Sequence, residues 1–185
     1  MKGVFLTGLL ASVAWLTGNA MLVLVAARLF VVAPSAQVLP AQAGAMFADV
    51  LIHWLIVSCF LVTVITLAWL VILARRSASR RLGWDGIFGF LLVSLLIVSH
   101  ALAWTTTRET ERAVEARANA RADPATTAAE LDVLDQRFQQ AHNRNSAWFL
   151  IQTLALAALV VVQATTLVRA PHNPHKEASA PPADT

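Results

Sequence analysis

The sequence predicts an all-α fold: a four-span transmembrane helical bundle with an extramembrane helical hairpin between spans three and four. Three observations carry this expectation. First, 57% of the 185 residues are hydrophobic, only 14% are charged, and the mean hydropathy is +0.62. That balance belongs to membrane proteins, and the length allows one compact bundle without a separate soluble enzyme domain. Second, residues 50–74 contain no Asp, Glu, Lys or Arg. As a helix they rise about 37 Å, enough to cross a hydrocarbon core about 30 Å thick. Lipid offers the backbone no partner, so the segment must satisfy its own N–H and C=O groups. Third, comparable apolar runs recur at about 4–32, 87–104 and 148–168. Residues 1–169 therefore form one four-span domain, and 170–185 form a proline-rich tail expected to be disordered.

Taken in order, the first run continues past Gly18-Asn19-Ala20, a passable signal-peptide cleavage site, and so reads as a full span. Gly8 with Ser12 and Ala14 with Gly18 place small residues four apart, a spacing that permits close helix contact. Asn19 is the strongly polar side chain deep in the run, and Arg28 lies near its far end, where the stem can snorkel to the interface. Pro34 ends the helix by removing an N–H, and Pro40 can begin the next one.

The second span ends in Arg75 and Arg76, followed by Arg80 and Arg81. Such clusters stay cytoplasmic. Both termini and this loop are thus expected inside and the two other connectors outside; the Ala and Arg richness of the chain points to a bacterium, so the expected location is the bacterial inner (plasma) membrane. Gly83 and Gly86 are expected to break the helix before span three. Residues 105–121 then extend as a charged helix, with Arg108/Glu111, Glu109/Arg112 and Arg112/Glu115 at i,i+3 spacing. Asp123-Pro124 marks a turn, and Thr127-x-x-Glu130 is a capping box. Leu131, Leu134, Phe138 and Ala141 form one apolar stripe, expected to lean on the bundle or lie at the interface. Span four starts at Trp148, closes at Arg169 and contains Gln152 and Gln163, which require partners inside the bundle.

Two stretches resemble a known family. LFVVAPSAQVLPAQAGAMFADV has an apolar helix, Ala-Pro, Leu-Pro and a small Ala-Gly stretch before an aromatic; FQQAHNRNSAWFLIQ opens the last span. Together with the order of spans, over 7–168, they resemble the transmembrane protein 205-like family (bacterial domain of unknown function 4149). Asn143 stands where the family pattern has Gly, and Gln152 stands near its usual Asn. The resemblance implies a non-enzymatic multi-pass membrane protein, linked to transport or to stress or metal resistance.

No H-E-x-x-H, G-x-S-x-G or phosphate-cradling glycine loop is present, so catalysis is not expected. Asn19, Arg28, Asp49, His53, Ser99, His100, His142, Ser146 and Gln152 all fall toward the outer side, and an outward-opening polar pocket is the expectation. It has three readings: an Arg28–Asp49 pair that holds helix ends together, with Arg28 partly desolvated; a metal or haem site using His53, His100 and His142; or a site for a small solute or lipid headgroup. Cys59, mid-span and alone, is expected to pack as a small hydrophobe, and His172 and His175 in the tail form an incidental H-x-x-H. No cofactor is expected. The partners are the lipid bilayer and either a second copy or other membrane subunits; the modest net charge of +3 sits at span ends and gives no nucleic-acid footprint.

Overall fold

The computed structural model describes residues 2–32, 40–78 and 84–169, which form four helices and no strand. These are α1 (Lys2–Val32), α2 (Pro40–Ala78), α3 (Trp84–Ala122) and α4 (Ala128–Arg169). Each contains a window long and apolar enough to cross a membrane. Short connections make sequence neighbours antiparallel. Each of α1 to α3 packs on the helix that follows it, and α4 returns to α1, closing a ring of four. The architecture is that of a multi-pass membrane bundle.

Residues that point inward differ from those that point outward in size and shape more than in polarity. Phe5, Ile65, Trp69, Ile72, Leu92, Leu96, Leu156 and Leu159 fill the inner core, and Phe5 meets Trp69 edge-on at 6.3 Å. Leu10, Val23, Phe60, Leu91 and Leu154 remain exposed, as lipid-facing side chains do. Two glycines admit the large rings. A Cβ on Gly18 would lie 1.8 Å from the Trp54 ring, and one on Gly89 would lie 1.9 Å from the Trp69 ring. The small-residue spacing at Gly18 thus serves a tryptophan from α2. At Gly8 the fit is looser, with Gln163 Nε2 and Ala68 Cβ at 3.2 and 3.3 Å from an added Cβ.

Beyond the spans, α3 and α4 do not stop. The 39-residue α3 is about 58 Å long, so its charged half projects past the bilayer as a continuation of span three. The return helix is likewise continuous with span four. Ala125 N–H donates to Asp123 Oδ1 (2.9 Å) in the turn between them. The capping box forms: Thr127 N–H donates to Glu130 Oε2 (2.8 Å), and Glu130 N–H donates to Thr127 Oγ1 (3.3 Å). The apolar stripe of α4 faces the α3 extension; Ala141 is buried, and Leu131, Leu134 and Phe138 are partly buried.

Two local expectations are corrected. Gly86 does not break the chain: it is buried inside the first turn of α3, which starts at Trp84 with Asp85 favourably placed at the positive end of the helix dipole. Of the three i,i+3 pairs, Arg108–Glu111 forms (3.0 Å), whereas Glu109 turns across the hairpin to Arg144 (3.0 Å). Gly83, Pro34, Arg80, Arg81 and the 170–185 tail lie outside the described residues.

Gly89→Ala is expected to lower the unfolding free energy in detergent by about 1–3 kcal/mol, because Trp69 must move. Gly44→Ala, whose new Cβ meets nothing within 4 Å, should leave it unchanged or raise it. Scanning fluorimetry of the two variants checks the opposite signs. Glu130 offers a pH test. Its hydrogen bonds from the Thr127 backbone and side chain hold its carboxyl below the usual 4.5. The cap is therefore fully formed above pH about 4.5 and is lost as pH falls through the lower folded value. Protection factors of the first α4 amides, corrected for the intrinsic pH dependence of exchange, should fall over that window, and Glu130→Gln should remove that fall.

Candidate functional site

Polar side chains in lipid must find partners within the bundle, and four helices bring theirs to one depth. Asn19 lies seventeen residues from Lys2, Cys59 sixteen from Arg75, His100 fifteen from Asp85 and Gln152 seventeen from Arg169. At 1.5 Å per residue each is about 23–26 Å from the end of the bundle that carries Arg75. Hydrogen bonds link the helices across the layer. Gln152 Nε2 lies 3.3 Å from His100 Nδ1, and His100 Nε2 lies 3.2 Å from Cys59 Sγ. With the Gln152 amide donating to Nδ1, the ring proton sits on Nε2 and points to sulfur. Turning the amide over reverses the chain, the thiol then donating to Nε2. Trp15, fully buried, stands edge-on to the imidazole at 5.5 Å, so α1 meets α3 across the diagonal of the ring.

A second set joins α1, α2 and α4. Trp54 Nε1 donates to Asn19 Oδ1 (2.9 Å), and Asn19 Nδ2 donates to Thr153 Oγ1 (3.2 Å). Farther toward the hairpin, the Thr106 and Thr107 hydroxyls lie 3.0 and 3.1 Å from Asn145 Oδ1, all three buried. Most other in-span hydroxyls donate to a carbonyl one turn back, as Ser12 does to Gly8 O (2.9 Å) and Thr66 to Val62 O (2.7 Å). Among the described residues Gln152 Oε1, Gln163 Oε1, Trp15 Nε1 and Trp69 Nε1 are buried without a hydrogen-bond partner.

The nine outer-side candidates therefore divide. Asn19, Ser99, His100 and Gln152 are buried in the bundle. Arg28, Asp49, His53, His142 and Ser146 are exposed. Arg28 makes no ion pair with Asp49 among the described residues; the His53 imidazole, one turn along α2, donates from Nδ1 to the Asp49 carbonyl (2.8 Å) and lies 3.5 Å from its carboxylate. Arg28 is exposed on the surface of α1, so the expectation that it is partly buried in the bundle is corrected. His142 stacks on Phe138 at 5.7 Å. His53, His100 and His142 do not gather, and among the described residues no three His, Cys, Asp or Glu side chains form a metal-holding group.

Sequence reasoning passed over Cys59 as a partner of His100, and Thr106, Thr107 and Asn145 altogether. The signal was available for Cys59: counting residues from the charged ends of α2 and α3 sets it level with His100. Charges increase toward the hairpin. Arg117 pairs with Asp135 and lies 4.8 Å over the Phe138 ring, Arg121 reaches the same carboxylate at 3.5 Å, and Arg108 lies 5.5 Å over Trp104. Comparison with known protein families, with characterised proteins and with solved structures finds no match to this chain.

Asn19→Leu should destabilise the detergent-solubilised bundle by about 1–2 kcal/mol, since it strips the partner from the Trp54 indole and from Thr153. Arg28→Ala should stay within about 0.5 kcal/mol of the parent, as exposed substitutions do. Paired denaturation curves decide between this ranking and its reverse.

Proposed function

We propose that this chain is a non-enzymatic protein of the bacterial inner membrane, of the transmembrane protein 205-like kind, with both termini and the arginine loop in the cytoplasm. Its bundle is a rigid anchor, and its outward hairpin is the part that meets a ligand or partner, in a role connected with transport or stress resistance. One observation carries the reading: α3 and α4 cross the membrane boundary without a break, so the hairpin is held stiffly by the spans themselves. The packed inner core, with Trp69, Leu96, Leu156 and Leu159 buried, supports an anchor rather than a pore in the single chain.

A second reading rests on the Cys59–His100 contact. Thiolate and imidazole together suit a soft metal such as copper(I), so the site would be the thiol–imidazole pair rather than three histidines.

A cysteine placed at Ala118 in a Cys59→Ser background should react with a membrane-impermeant maleimide added outside intact cells, and one at Ser77 should not. The reverse pattern would overturn the orientation. Deleting the gene should sensitise cells to envelope or toxic-metal stress, restored by the full chain; unchanged growth under such stress would remove the assigned role. For the second reading, purified protein should hold about one copper per chain, lost in His100→Ala and kept in His53→Ala.

A further inference from the structure

The contacts Thr106–Asn145, Glu109–Arg144 and Arg117–Asp135 fix the register of the hairpin. In that register Arg112 of α3 stands level with Gln140 of α4, and Arg137 stands about one turn farther from the membrane. All three line one cavity of about 350 Å³ between the helices. None of these three side chains makes an ion pair or hydrogen bond among the described residues. The carboxylates around the cavity are committed elsewhere: Glu109 to Arg144, Asp135 to Arg117 and Arg121, and Glu130 to the Thr127 cap. Glu115, one turn along α3 from Arg112, does not line the cavity. The floor is small and apolar, with Ala113, Ala116 and the buried Ala141.

Height and charge narrow the choice of occupant. Arg112 is eight residues beyond Trp104 and Arg137 eleven beyond Trp148, or about 12 and 16 Å past the ends of the spans. The headgroup layer reaches only about 5–8 Å beyond the hydrocarbon core. The two free guanidiniums therefore stand in water, and what they meet is a soluble molecule. Their planar forks suit carboxylate or phosphate oxygens. Two cations one turn apart, converging on one cavity, are matched by two negative charges on one compact group. A phosphate monoester carries that charge above its second pKa of about 6. A monocarboxylate leaves one guanidinium unmatched, and a dicarboxylate holds its charges on separate carbons. The volume is at the lower end of ligand pockets, which span roughly 300–1,000 Å³, and suits a phosphate with a small organic body.

We infer that the cavity between α3 and α4 binds a small soluble phosphate monoester. Arg112 and Arg137 hold its phosphate, the Gln140 amide donates beside them, and its organic part rests on the alanine floor. This names a ligand class for the hairpin and rests on the reading of the hairpin as the part that meets a ligand. Binding is measured on purified protein, so it fails separately from the maleimide and gene-deletion experiments.

The test is calorimetric titration of the full-length protein, in non-ionic detergent at low salt and pH 7.5, with phenyl phosphate, inorganic phosphate and succinate. Phenyl phosphate should bind once per chain, at least tenfold more tightly than succinate and severalfold more tightly than inorganic phosphate. Arg112→Gln and Arg137→Gln should each weaken it about tenfold, and Arg108→Gln should leave it unchanged. Glu109→Gln, which frees Arg144, should tighten it severalfold. Affinity should fall below pH about 6, where the phosphate takes up a proton and loses one of its two charges. Circular dichroism of each variant checks that the helices persist; Arg112 and Arg137 are exposed, so their loss opens no core. Succinate that binds as tightly as phenyl phosphate overturns the phosphate class, and inorganic phosphate that binds as tightly overturns the organic part. No saturable binding of phenyl phosphate, or equal binding by the parent and by folded Arg112→Gln and Arg137→Gln proteins, overturns the site.

Discussion

Hydrocarbon can neither give nor take a hydrogen bond, and the arrangement of this bundle follows from that constraint. Backbone groups are satisfied by unbroken helices. Most in-span hydroxyls fold back on the preceding turn of their own helix. Side chains too long or too polar for this, such as Asn19, His100 and Gln152, must cross to another helix, and they do so at one depth. Each such contact is worth only about 0.6 kcal/mol on average in a membrane. Their larger effect is on register: sliding α3 by one turn would move His100 about 5 Å and separate it from both Cys59 and Gln152.

Packing supplies what these bonds do not. Lipid tails are as apolar as leucine, so shape rather than hydrophobicity selects which faces meet. Trp54 lies on Gly18 and Trp69 on Gly89, ring against backbone. Trp15 closes the centre against His100. A tryptophan seated on a glycine is specific because the ring fits nowhere that a Cβ stands. Three of the chain's six tryptophans thus act as interior wedges, while Trp84 remains exposed at the start of α3.

At the membrane boundary the physics changes while the helices do not. Past Trp104 and before Trp148, charges are hydrated and cost little, and individual exposed ion pairs add at most about 1 kcal/mol. The α3–α4 pair therefore has freedom to place its arginines. Arg117 and Arg121 share Asp135 and lock the hairpin, whereas Arg112 and Arg137 are left facing one cavity. The stiffness that positions them originates in the spans below.

The sequence by itself determined the number of spans, the helical extension past Trp104, the turn at Asp123-Pro124 and the cap at Thr127 and Glu130. Hydropathy over twenty residues and hydrogen bonds over three or four are local quantities, so they can be read along the chain. It also placed Asn19, His100 and Gln152 on the same side of the membrane, since depth is a count from the charged ends. Tertiary structure alone decided that His100 meets Cys59 and Gln152, that Arg28 and Asp49 stay apart, that Gly86 lies inside a helix, and that Glu109 prefers Arg144 to Arg112. These depend on the rotation of each helix about its own axis. In spans apolar on every face no periodicity signals that rotation, and the fit of tryptophan to glycine together with the polar contacts between neighbours sets it.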